Sequence, residues 1–203
     1  MYVKEDDMPR ASAAAAAQTA QDILAAAIDL FSEHGFSAVS VDDVARQAHV
    51  TRGAVYHHYN NKLGLFSAAA EKLQNRVADA VVAAAENSGE DPLRQLRTGC
   101  HAFLDAITTE SAARILLAEA PTVLGWCQWR RMDSENSVVH LRDALEATGV
   151  APHLLEATTA QLSGAMNEAA LWIVEGGSAD RDAAHEVLDR LINAALDPST
   201  GGP

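Results

Sequence analysis

The chain has 203 residues, enough for one large domain or for a small domain fused to a medium one with a real interior. Apolar residues make up 48% of it but aromatic ones only 5%, and alanine is heavily used, a mixture that favours helices. The formal net charge of −13 argues against DNA binding unless the charge is unevenly spread; no apolar run reaches the roughly 18 residues of a spanning helix, and Lys4-Glu5-Asp6-Asp7 is acidic where a secretory leader is basic, so a soluble, cytoplasmic protein with no membrane partner is expected.

Residues 1–17 mix charges with an alanine run, Ala13 to Ala17, and read as a mobile arm or a frayed extension of the first helix. Thr19 with Asp22 makes a capping start, and Ile23, Ala27, Leu30 and Phe31 recur at helical spacing until Gly35 stops the pattern. Ser40 followed by Asp43 is a second capping pair, opening a short helix through Val41, Val44, Ala45 and Ala48 to about His49. Thr51 caps a third helix through Val55 and Tyr56 to about Tyr59, and two short helices across so tight a turn make a helix-turn-helix. Lys62 to about Asn87 is long and amphipathic, and Asn87-Ser88-Gly89-Glu90-Asp91-Pro92 breaks it. Five further helices are predicted: Leu93 to Ile107, Ser111 to Ala120, Leu124 to Thr148, Leu154 to Glu175 and Arg181 to Leu196. Pro121, Gly149 with Pro152, and Gly176-Gly177 punctuate them. Residues 197–203 read as a disordered tail, and no repeat of fixed period is present. The fold class is therefore all-α: a three-helix helix-turn-helix domain over residues 18–66, joined by a long helix to a larger helical domain over residues 67–196.

The acidity is unevenly spread. Between Ser40 and Arg76 five basic residues face three acidic ones, whereas from Gly89 onward there are eight basic and seventeen acidic residues. The local field at a docking surface governs phosphate contact, so the overall charge does not exclude a DNA partner. Cys100 and Cys127 sit singly in apolar helical patterns and read as buried thiols, not as a disulfide or a zinc knuckle.

Leu30-Phe31-Ser32-Glu33-His34-Gly35-Phe36, Val39-Ser40-Val41-Asp42-Asp43-Val44-Ala45, Val50-Thr51-Arg52-Gly53-Ala54-Val55-Tyr56-His57-His58-Tyr59 and Lys62 follow one another in an order that resembles the DNA-binding domain of the TetR family of transcriptional regulators. The resemblance covers about residues 18 to 66. Val44, Ala48, Val50, Val55 and Tyr59 suit a small core against the first helix. Ser40 and Thr51 stand at helix N-termini, where a hydroxyl and free backbone N–H groups can meet a phosphate or simply cap. Arg52 offers a fork for a guanine edge, and Gly53 lets backbone approach the duplex. Tyr56 and His57 lie one turn on along the same stripe, where the resemblance implies a phosphate contact and a groove-facing residue; His58 either touches phosphate or packs inward. Lys62 opens the long helix, so its ammonium and the helix N-terminus favour the same phosphate. Thr51, Tyr59 and Leu63-Gly64 depart mildly from the family pattern.

The resemblance further implies a homodimer on a palindromic or near-palindromic double-stranded operator, released by a small, largely apolar effector, with no cofactor and no enzymatic activity. Ala160, Gly164, Ala165, Ala169 and Leu171, with Val187, Leu191 and Ala195, supply faces that pack either between subunits or within one. Trp126, Trp129 and Arg130, together with Phe103, Ile107, Leu116, Met166, Asn167 and Trp172, line an effector pocket or else form ordinary core. Asn167-Glu168, polar within an apolar helix, needs a partner: ligand, Arg130 or the opposite subunit. Two other classes of function stay open. One is a metal-dependent sensor or enzyme using His101 and Asp105 at i, i+4, although no HExxH pattern, phosphate loop or nucleophile elbow accompanies them. The other is a ligand-sequestering helical protein that no longer binds DNA.

Overall fold

Capped starts, glycine stops and abundant alanine produce helices throughout, and no strand occurs among the described residues, 8–176 and 178–196 of a computed structural model. The chain divides into two compact units between Ala70 and Glu71, inside helix α4 (Lys62–Asn87), a few residues after the boundary expected at residue 66.

In the first unit, α1 (Met8–His34) begins well before the expected start. The alanine run has the highest helix propensity and no breaker, so the helix continues back through residues 8–17 as an extension of the first helix, the second of the two readings. Thr19 accordingly lies inside α1, its hydroxyl donating to the Ala15 carbonyl at 2.9 Å instead of capping. Residues 1–7 lie outside the described residues, as does the tail 197–203. Gly35, at φ 81°, ends α1. Next, α2 (Val41–Gln47) carries the full capping box: the Ser40 hydroxyl accepts from the Asp43 N–H at 3.1 Å and the Asp43 carboxylate accepts from the Ser40 N–H at 3.0 Å. The Ser40 hydroxyl also donates to the Asp43 carboxylate at 2.6 Å, and that bond, then the one from the Ser40 N–H and then Arg46, hold the Asp43 carboxyl down at about 2. Thr51 then caps α3 (Arg52–Tyr59), accepting from Ala54 N–H at 3.2 Å.

All three helices pack on one another around Ile23, Phe31, Val44, Val55 and Phe66. Phe31, Phe36 and Phe66 meet with centroids 5.1 to 5.9 Å apart, two of the three pairs edge-on. Burial of one such ring is worth about 2–3 kcal/mol. The Tyr59 hydroxyl donates to the Ala20 carbonyl at 2.7 Å, tying the end of α3 to α1.

The second unit contains α5 (Pro92–Ile107), α6 (Glu110–Ala112), α7 (Ala120–Val123), α8 (Trp126–Asp133), α9 (Val139–Ala147), α10 (Leu155–Gly176) and α11 (Ser178–Leu196). Two π-helical stretches, Ala113–Glu119 and Ser134–Val138, join α6 to α7 and α8 to α9. The break expected at Pro121 is absent: this proline occupies the first turn of α7, where no N–H is needed. Gly125, at φ 86°, makes the break instead. Asp91 caps α5, accepting from Arg94 N–H at 3.1 Å. Leu96, Leu104, Ile115, Leu145 and Ile192 are fully or almost fully buried, and α5 packs against α9, α10 and α11.

Candidate functional site

The predicted DNA-reading residues gather on the outer side of α2, α3 and the start of α4. Arg52, Gly53, Tyr56 and His57 are exposed, and His58 is half-buried between the His57 and Tyr59 rings. Gly53 has nothing but the Thr51 hydroxyl, 3.8 Å away, where a Cβ would sit, so its face is open. The Arg52 guanidinium is engaged twice within the unit, with the Asp42 carboxylate at 3.0 Å and the Tyr56 hydroxyl at 3.1 Å, and lies 5.3 Å from the Tyr56 ring centroid. Asp42 is a residue that sequence reasoning passed over; ten positions away, it restrains the fork. Lys62 packs its ammonium 4.4 Å from the Phe36 ring centroid and donates to the Ser37 carbonyl at 3.4 Å. Ser40 and Thr51 both cap, as their spacing implies.

A cavity of about 300 Å³ opens in the second unit. Of the residues expected around a pocket, Phe103 and Met166 line it. The others do not, for distinct reasons. Ile107 and Leu116 are closed into the core. Trp129 is buried as well, its indole N–H donating to the Leu116 carbonyl at 2.8 Å across to the first π stretch. Trp126 is 62% exposed and leans on Trp129 and Arg130 outside the cavity. Trp172 is exposed on α10. Arg130 and Asn167 stand behind the wall, both donating to Asp133 Oδ2, at 3.1 and 3.5 Å. The partner of the Asn167 amide N–H is thus Asp133, none of the three expected, while its Oδ1 is buried without one.

Sequence reading missed Asp133 and Ser137, which do line the cavity, together with Val81, Val82 and Gly99. Asp133 is 1% exposed, and burial pushes its carboxyl above the usual carboxylate range against the pull of Arg130 and Asn167. The signal available was Arg130 with Asp133 at i, i+3, an ion-pair spacing. Cys100 also lines the cavity, and burial, with Asp189 adding to it, pushes its thiol up to about 12; Cys127 is exposed on α8, contrary to expectation.

Along α10 and α11, Ala160, Gly164, Leu171, Val187 and Leu191 are exposed, while Ala165, Ala169 and Ala195 are half-buried. Trp172 belongs with this face: a shallow depression of about 160 Å³ is lined by Ala165, Ala169, Trp172, Val187 and Leu191.

His101 and Asp105 both contact His185 and each has a separate further partner. The His101 ring stacks on His185 at 4.2 Å and its Nε2 faces Asp189 at 3.2 Å, whereas Asp105 faces His185 at 3.4 Å and Arg181 at 3.7 Å. Among the described residues no three His, Cys, Asp or Glu side chains are grouped so as to hold a metal, and no helix is long and apolar enough to cross a membrane.

Residues 23–69 match the family model described as bacterial regulatory proteins, tetR family, and residues 93–195 match the one described as tetracyclin repressor-like, C-terminal domain. The chain is 34% identical over 110 residues to the HTH-type transcriptional regulator AcrR of Shigella flexneri, covering 54% of this chain and 51% of that protein. It is 48% identical over 61 residues to the HTH-type transcriptional regulator SrpR of Pseudomonas putida, covering 30% of this chain and 29% of that protein. The chain thus spans about half or less of the length of these curated relatives. Among solved structures, a TetR-family transcriptional regulator from Pectobacterium atrosepticum is 32% identical with a TM-score of 0.69, covering 94% of this chain and 98% of that one.

Proposed function

The chain belongs to the TetR family of bacterial transcriptional regulators, and from that premise we propose that it is a cytoplasmic, dimeric repressor that leaves its operator when a small molecule fills the cavity of the second unit. The observation that carries the DNA-reading half is the exposed set Arg52, Gly53, Tyr56 and His57 on a helix fixed by the Thr51 cap and the Tyr59–Ala20 bond, followed at once by Lys62. Arg52 reads a base edge, Gly53 gives close approach, and Ser40, Thr51, Tyr56, His58 and Lys62 take phosphates. The exposed apolar face of α10 and α11 supports pairing of two chains, and pairing holds two heads about one DNA turn, roughly 34–36 Å, apart.

Release needs a ligand that binds the DNA-incompetent form more tightly. Helix α4 carries Lys62 at its first residue and Val81 and Val82 in the cavity wall, so one continuous helix contributes to both tasks. The test is binding of the purified chain to its own promoter and to random duplex at moderate salt, with sedimentation to give its oligomeric state. Equal affinity for the two duplexes would sink the repressor reading, and a monomer at micromolar concentration would sink the dimer.

A further inference from the structure

We propose that the cavity selects a compact, non-anionic amphiphile: an apolar, preferably aromatic body with a single hydrogen-bond-donating head group, a hydroxyl or an ammonium, seated on Asp133 and Ser137. The assignment rests on the repressor reading only where it calls this ligand the effector; the binding chemistry stands on the cavity itself.

Size comes first. A volume of about 300 Å³ lies at the low end for ligand pockets and holds roughly ten water-sized atoms at about 30 Å³ each. Most of the wall is apolar, with Phe103 and Met166 offering a ring edge and a thioether that suit a flat aromatic body.

Polarity sets the head group. Asp133 and Ser137 are four residues apart, at the junction of α8 with a π-helical stretch, so they lie on one face, and both line the cavity. Insertions of this kind are frequent at functional positions. The hydroxyl of Ser137, a residue only 8% exposed, has no hydrogen-bond partner. On Asp133 both protein donors, Arg130 and Asn167, take Oδ2, which leaves Oδ1 accepting no bond among the described residues. A buried hydroxyl left unpaired is costly, and Asp133 Oδ1 has room for a donor beside it. A ligand hydroxyl satisfies both, donating to Asp133 Oδ1 and accepting from Ser137, and an ammonium donates to both.

Charge excludes the opposite class. Glu86, Asp133 and Asp143 line the cavity, and among the described residues no Lys or Arg does, since Arg130 stands behind Asp133. A carboxylate ligand would meet three acids, against which the wall offers the Ser137 hydroxyl, His140 and a Gln95 amide that already donates to the Gly89 carbonyl. Ethers and hydrocarbons of the same size would bring no donor to Asp133 Oδ1.

The experiment is calorimetric titration of the full chain with four probes of one body: phenethyl alcohol, phenethylamine, phenylacetate and ethylbenzene. The alcohol and the amine are expected to bind at least about tenfold more tightly than the other two, and Ser137→Ala to weaken the alcohol about three- to tenfold while leaving ethylbenzene unchanged. Phenylacetate binding as well as the alcohol, four equal affinities, or no heat from any probe at millimolar concentration would each overturn the assignment. The ranking on the unaltered chain does not depend on the variant's folding. The same probes added to an operator complex separate the two readings. Binding in the expected order without release keeps the ligand class and removes the effector role; a wrong order on a chain that still reads its operator removes the ligand class alone.

Discussion

Gly64 gives a stability prediction whose sign is decided by one distance. It lies in the first turn of α4, and a Cβ there would stand 2.4 Å from the Tyr59 carbonyl oxygen and 3.5 Å from its carbon. Close C···O approaches run at about 3.3 Å, so the chain must open by roughly 0.9 Å. Neither side can yield freely. Tyr59 is tied through its hydroxyl to Ala20, and the Gly64 N–H donates to the Asn61 side chain at 2.8 Å. Gly64→Ala therefore sets an overpacking cost of about 1–3 kcal/mol against a helix-propensity gain of about 1 kcal/mol. The expected net loss is about 1 kcal/mol, a fall in Tm of about 2–4 °C for a chain of this size. Gly99→Ala is the control. Its Cβ would meet Val81 Cγ1 at 3.4 Å and the Ala85 Cβ at 3.8 Å, close to ordinary contact, so the propensity gain survives and stability stays level or rises by up to about 1 kcal/mol. Trp126, Trp129 and Trp172 all lie in the second unit, so indole fluorescence follows that unit while far-UV circular dichroism follows both. A Gly64→Ala chain as stable as the original in the dichroism melt would refute the steric reasoning.

Arg52→Ala is expected to weaken operator binding on the order of 10- to 100-fold and relax preference at one base position per half-site. Asp42→Asn, which frees the guanidinium, should tighten binding; anisotropy titrations giving one affinity for all three chains would remove Arg52 from the groove. Lys62→Ala should lower the slope of log affinity against log salt by about 0.9 for each protomer, with little change in sequence preference, and an unaltered slope counts against a phosphate contact. Trp129→Phe deletes the buried donor to the Leu116 carbonyl and should cost about 1–3 kcal/mol in urea unfolding. Burial, with His101 and Arg181 adding to it, lowers the His185 pKa against the opposing pull of Asp105 and Asp182, while Arg97 and Asp189 flank the stacked pair. The unfolded chain then binds more protons just below pH 6.5, so stability falls as pH drops through that window and is retained above it. His185→Gln should flatten that part of the profile.

The capped helices were legible because their signals are local. Ser40 with Asp43, and Thr51 three residues before Ala54, specify both their own geometry and the tight turn between them. Where a signal depends on what lies opposite, the sequence misleads. Pro121 looks like a stop, yet a first helical turn accepts proline, and the π-helical stretch that ends at Glu119 just before α7 leaves no periodic mark. Trp126, Trp129 and Trp172 look alike as large flat side chains, but their places differ: one on the surface, one buried by a bond to Leu116, one on the α10 face. Asp133 was invisible as a site residue because an aspartate three positions from an arginine is normally an exposed pair, and only the packing around it shows that it is buried.

The acidic net charge is reconciled with DNA reading by how the first unit holds its cations. Arg46 and Arg52 each rest on a carboxylate of α2, Asp43 and Asp42, at 3.0 Å. In both pairs the side chains are well exposed, a class that contributes little to stability. Exchanging Asp42 for a guanine edge or a phosphate therefore sacrifices little, while the Tyr56 hydroxyl holds the Arg52 fork to α3. Preorganisation of this kind removes part of the side-chain ordering cost on binding. The acids beyond Gly89 belong to the second unit, not to the helices that carry Arg46, Arg52 and Lys62. Salt dependence should accordingly follow the number of phosphates contacted, not the charge of −13 carried by the whole chain.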